Sequence, residues 1–127
     1  KRPLCNMCPV ILARDGRPWL AAGGSGGRRI LAAVTQLISF VVDFGCDAAA
    51  AAHHPRIDVS GTGTIDADPR LAPEIRAALR SHGKLAEVEH VAYPINYACP
   101  NIIMRHDDGA WEGVSDVMSP SSGAVAA

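Results

Sequence analysis

Apolar and polar positions along this chain change period several times, and each change marks an element. Val10-Ile11-Leu12-Ala13 and Pro18-Trp19-Leu20-Ala21-Ala22 are short apolar runs on either side of Arg14-Asp15-Gly16-Arg17. Asp-Gly between two such runs is a strong hairpin signal, because both central residues tolerate positive φ. From Arg28 to Phe44 the apolar residues Ile30, Leu31, Val34, Leu37, Ile38, Val41 and Val42 follow the spacing of a helix with a wide buried face. Gly45 is placed to end it. Asp47 can cap a second, short helix over Ala48 to Ala52, which must stop near His54 because Pro55 follows. Arg56-Ile57-Asp58-Val59 alternates like a strand, and Ser60 to Thr64 reads as turn or loop. Pro73 opens a third helix that runs to His82 before Gly83 and should bury Ile75, Ala78 and Leu79. Strand-like runs then cover Leu85 to Ala92, Ile102 to Arg105 and Trp111 to Val114, with a second hairpin turn at Asp107-Asp108-Gly109. The tail from Ser119 carries little structural signal. Hairpins with segregated helices predict an α+β fold built on an antiparallel sheet, not a doubly wound one.

With 127 residues, 48% of them hydrophobic, the chain is one domain's worth and can bury a core. Its net charge of −1 is scattered, so no basic face argues for nucleic acid or an anionic membrane. The longest apolar stretch, Ile30 to Val42, is broken by Thr35, Gln36 and Ser39, too short and too polar for a bilayer span. No signal peptide is evident, but neither is an initiator Met, and Lys1-Arg2-Pro3-Leu4 reads as mid-chain sequence. The expectation is a piece of a larger protein.

Candidate chemistry centres on Gly23-Gly24-Ser25-Gly26-Gly27, between the second apolar run and the long helix. Glycines there admit positive φ and close approach. Free N–H groups at a helix start can hold an anion or a developing oxyanion, and the same turn can equally be a tight packing corner. Nucleotide motifs fail: Arg29 stands where a dinucleotide fingerprint needs its third glycine, and Gly27 is followed by Arg28-Arg29 instead of Lys-Ser/Thr. Arg28 and Arg29 fit an anion site or the solvated side of the helix. Cysteines fall at 5, 8, 46 and 99. Cys5-Asn6-Met7-Cys8 is a C-x-x-C, but no second close pair completes a zinc set, and Pro9 with a strand follows where a redox pair would open a helix. No metal site and no cofactor are expected. His53, His54, His82, His90 and His106 fall near element ends or in polar surroundings, and none is assigned a catalytic role.

Pro3-Leu4-Cys5-Asn6-Met7-Cys8-Pro9, Asp15-Gly16 and Gly23-Gly24-Ser25-Gly26-Gly27-Arg28-Arg29-Ile30, taken in order, resemble the small subunit of gamma-glutamyltransferases (gamma-glutamyltranspeptidases). That family shows Pro-Leu-Ser-Ser-Met-(Ser/Thr)-Pro, a Lys-Asp-Gly hairpin and Gly-Ser-Pro-Gly-Gly-Ser-Arg-Ile. The resemblance continues through Ala52-His53-His54-Pro55-Arg56-Ile57, the helix Glu74 to Gly83, and Asp108-Gly109-Ala110-Trp111-Glu112-Gly113-Val114-Ser115-Asp116. It makes residues 1–127 the C-terminal portion of such a subunit.

The resemblance implies an N-terminal nucleophile hydrolase fold, an αββα sandwich of two antiparallel sheets between helical layers, of which this chain is only a part. It implies a self-cleaving precursor whose new N-terminal Thr attacks gamma-glutamyl amides such as glutathione, with its own α-amino group as base. Gly26 and Gly27 match the glycine pair whose N–H groups form the oxyanion hole. Cys5 and Asn6 stand where the family's Ser-Ser pair binds the glutamyl α-carboxylate, and a thiol is the weaker donor there. The family's Thr lies upstream of the Pro-Leu motif, so the chain alone should be inactive. Implied partners are the remainder of the small subunit, the large subunit and a small gamma-glutamyl substrate, with no nucleic acid or membrane and a periplasmic or extracellular location. Competing expectations are a related acylase or amidase of different substrate choice, a non-catalytic module that keeps the fold, and a thiol-based metal binder using Cys5 and Cys8.

Overall fold

The computed structural model describes residues 6–61, 63–92 and 96–125. Strands β1 (Val10–Arg14) and β2 (Arg17–Ser25) pair antiparallel across Asp15-Gly16. Their φ values of 52° and 72° give the type I′ turn expected of Asp-Gly. A 3-10 turn, Gly27–Arg29, leads into α1 (Ile30–Val42), and α2 (Ala48–His53) follows. Then come β3 (Ile57–Asp58), β4 (Ile65–Ala67), α3 (Pro73–His82), β5 (Leu85–Glu87), β6 (Cys99–Arg105) and β7 (Trp111–Ser115).

β1, β2, β6 and β7 form a four-stranded antiparallel sheet in that order, while β3, β4 and β5 form a separate three-stranded one. Register decides which face of the larger sheet is covered. Leu20 lies opposite Met104 and Ala22 opposite Ile102, so these four share one face and are all buried. Against them α1 sets Ile30, Ala33, Val34, Leu37 and Val41, and α2 adds Ala48, Ala51 and Ala52, which completes the core. The opposite face carries Ile11, Ala21, Ile103 and Trp111, and Ile11 is 74% exposed, Ile103 50% and Trp111 57%.

Several expectations need correcting. β2 does not stop at Ala22, because Gly23, Gly24 and Ser25 continue the ladder against Asn101, Pro100 and Cys99. Only the corner proper, Gly26 and Gly27, leaves the sheet. In α1, Leu31 and Val42 face outward. α3 forms where expected, but none of its residues is buried: Ile75 and Ala78 are exposed and Leu79 half-buried. Ile75 and Leu79 instead border an open apolar groove with Phe40, Phe44 and Leu71. The strand expected over Leu85 to Ala92 is three residues long, and β4 was not anticipated. β4 and β5 run parallel, joined through α3, so only the larger sheet is wholly antiparallel.

Candidate active site

The corner between β2 and α1 is built by glycine for two different reasons. Gly26 has φ 141°, and a Cβ there would lie 2.7 Å from both Cα and Cβ of Ala98, so no side chain fits. Gly27 has φ 60° with nothing within 4 Å of where its Cβ would be, so it faces open space. Gly26 therefore meets a wall, and Gly27 faces open space. Among the described residues, no turn, loop or cap hydrogen bond is donated by the N–H of Gly26 or Gly27. Two N–H groups beside a helix start, with space above one of them, can receive a negatively charged oxygen.

The turn also places Arg28 on the rim of an open groove of about 640 Å³, shared with Asn6, Leu31, Thr35, Gln36, Val59 and Ser60. Asn6 is exposed, so its amide is available. Asn6 and Arg28, 22 positions apart, thus border the same groove. Cys5 lies outside the described residues. Arg29 leaves the solvated face: its Nε is 3.7 Å from the buried Asp58 carboxylate.

Behind the corner lies a buried polar cluster that the sequence reading missed. Arg56 and Asp116 are each 2% exposed and meet at 2.8 Å. Arg56 Nη1 also donates to Ala52 O at 2.9 Å, and Nη2 to Ala98 O at 3.3 Å. Asp116 Oδ1 accepts from Met118 N–H, and the His90 Nε2 lies 3.5 Å from it. The His90 side chain is turned inward, only 7% exposed. It packs on Tyr97, and burial pushes its pKa below the usual 6.5 despite the attraction of Asp116. Nearby, burial alone would raise the Asp68 pKa, but hydrogen bonds from Arg70 outweigh it and hold the carboxyl below its ordinary 3.8. The signal available in sequence was slight: Arg56 and Asp116 sit inside the segments that carry the resemblance, but nothing local marks them as partners.

Cys99 faces the corner across the ladder from Ser25. Burial, with the Asp116 charge adding to it, raises its pKa above 9.0 against the opposing hydrogen bonds of Ser119 and Ser25. It therefore stays a thiol at neutral pH and is not an activated nucleophile. The described residues thus set a glycine corner with undirected N–H groups next to an open groove that Arg28 and Asn6 border.

With that geometry in view, the family is clear: the gamma-glutamyltranspeptidase family model matches residues 1–126, and the chain belongs to that family. Among curated relatives, the glutathione hydrolase proenzyme of Escherichia coli is 31% identical over 120 residues, covering 94% of this chain and 20% of the relative. The corresponding proenzyme of Bacillus subtilis is 28% identical over 117 residues, covering 91% of this chain and 19% of the relative. The chain thus spans about a fifth of the length of these relatives. Among solved structures, the gamma-glutamyltranspeptidase of Pseudomonas nitroreducens complexed with L-DON superposes with a TM-score of 0.76 at 27% identity, over 100% of this chain and 65% of that one.

Proposed function

We propose that this chain is the oxyanion-hole and acyl-pocket portion of a gamma-glutamyl transferase or hydrolase whose Thr nucleophile is contributed by sequence outside it. The observation that carries this reading is the Gly26–Gly27 corner, with positive φ at both residues and open space above Gly27. In the reaction, the Thr hydroxyl attacks the γ-carbonyl carbon of the substrate, and the Thr α-amino group takes its proton. The carbonyl oxygen gains the negative charge, which the N–H groups of Gly26 and Gly27 stabilise; as the intermediate collapses, the C–N bond breaks and the proton on the α-amino group passes to the leaving amine. The acyl-enzyme is then released to water or to an amino acid. Asn6, on the shared groove, is suited to donate through its amide to the α-carboxylate of the glutamyl group, with Cys5 beside it in sequence.

The largely exposed apolar residues Ile11, Ile103 and Trp111 on the outer face of the larger sheet, which the tail at Ala124 only partly borders, support a second sheet stacked there and hence the αββα sandwich. The remaining small-subunit strands and the large subunit of the same precursor are the partners proposed for that face.

Proline at position 27 is a poor test of the oxyanion role, since it would demand φ near −65° where the chain has 60°. Replacing Gly27 by glycolate in the complete protein turns its N–H into an ester oxygen and keeps the backbone freedom. Turnover of a gamma-glutamyl anilide should fall in kcat by about 10²–10³ with KM little changed. Near-normal kcat in a processed, folded protein would make Gly27 a packing glycine and remove the oxyanion role.

A further inference from the structure

The 98–100 segment forms the wall of the glycine corner. Ala98 leaves no room for a Cβ on Gly26, and the Cys99 carbonyl would lie 3.1 Å from a Cβ on Gly24. Asp116 fastens this wall from behind at two points. Its backbone N–H donates to Pro100 O at 3.1 Å, and its carboxylate holds the Arg56 guanidinium that donates to Ala98 O. Arg56 reaches in turn to Ala52 O at the end of α2. One guanidinium therefore ties α2, the wall and the start of the β7 exit together, in a site closed to water. A buried pair of this kind adds little net stability over an apolar substitute, because desolvation offsets most of the attraction. Its geometry is nevertheless highly determined.

We propose that Arg56 and Asp116 are positioning residues for the reaction: acting through Ala98 and Pro100, they fix where Gly26 and Gly27 point their N–H groups. This rests on the oxyanion role of the corner. An oxyanion donor must lie within a few tenths of an ångström of its station to be useful, and a 1 Å displacement can cost about 10²-fold in rate. Both residues are buried, and neither lines the groove that Asn6 borders. Their substitution should therefore lower kcat while the groove around Asn6 keeps its affinity.

The test uses the complete, self-processed protein. Asp116→Asn keeps an acceptor for Met118 N–H but removes the charge that orients Arg56. Arg56→Lys keeps the charge but cannot bridge Ala52 O and Ala98 O together. Ala98→Gly removes only the methyl group that faces Gly26, and it stands in if either charge variant fails to fold or process. Acylable nucleophile is titrated from the burst of anilide release, and kcat is expressed per titrated site, so that loss of folded protein does not count. The expected result is a fall in kcat per site of about 10-fold or more with KM within about threefold. A kcat per site within twofold of the parent in every variant that folds would leave the pair a purely structural tie and overturn the proposal. The Gly27→glycolate protein is assayed in parallel. If it loses kcat while the positioning variants do not, the oxyanion reading stands and the positioning role falls; if it keeps kcat, the reading itself fails and the positioning role with it.

Discussion

At the scale of single residues, the two corner glycines are distinguishable by what surrounds them. A side chain on Gly26 meets Ala98 at 2.7 Å, backbone included, at a φ that L-residues rarely adopt. One on Gly27 meets open space and pays only for its left-handed φ of 60°. Gly26→Ala should therefore destabilise the complete protein by about 3 kcal/mol or more, combining overpacking with backbone strain. Gly27→Ala should cost about 1–2 kcal/mol. Thermal or denaturant unfolding of both variants checks the order, and equal losses would mean that the Ala98 wall yields easily. Gly27→Ala keeps its N–H, so it should retain far more activity than glycolate at the same position.

At the scale of elements, α2 is the clearest case of local sequence producing local structure. Five alanines favour the helix, and the Asp47 carboxylate accepts from Ala50 N–H at 2.7 Å, satisfying one of the donors that a helix start leaves free. Asp47→Ala should cost about 1 kcal/mol, and Asp47→Ser should restore most of it, both read from unfolding midpoints. α3 starts at Pro73 behind Ala72, without a side-chain cap, and buries none of its residues. It is tied by Arg76 and Arg80 to Glu87 on β5, and these ion pairs are at least partly solvated. Glu87→Gln should accordingly change stability by less than about 1 kcal/mol.

At the scale of the whole molecule, the buried cluster joins the two sheets: Arg56 leads into β3, Asp68 follows β4, His90 follows β5 and Asp116 follows β7. His90 gives that junction a pH dependence. Burial holds its folded pKa below the unfolded value near 6.5, with Arg56 and Arg70 acting in the same direction and Asp116 and Asp68 against it. Between the two values the unfolded chain binds more protons, so stability is complete above about pH 6.5, falls as the pH drops through the window, and levels off below the folded pKa. The Asp68 contribution lies in a separate window, lost only as pH falls below 3.8. In unfolding midpoints measured across the mildly acidic range, His90→Gln should flatten the slope just below pH 6.5; an unchanged slope would assign it to other groups.

Much of this protein is written in short-range pattern. Asp-Gly specifies the β1–β2 hairpin because its φ preferences match the twist of the strands, and the apolar spacing from Ile30 to Val41 selects the buried stripe of α1. Asp47, Pro55 and Pro73 set helix limits through hydrogen bonding and sterics within a few residues. The ordered motifs likewise made the family legible, and with it Gly26 and Gly27 as candidates. What only the tertiary structure decided depends on partners far away in sequence. Gly23 to Ser25 are strand because β6 offers them a ladder, and α3 stays exposed because no described element closes over Ile75 and Leu79. β4 is too short to announce itself and exists through its pairing with β3 and β5. Arg56 and Asp116, sixty positions apart, become a pair only when the chain has folded. Side-chain charge is visible in a sequence, but its burial and its partner are set by topology, and there the wall behind the glycine corner is made.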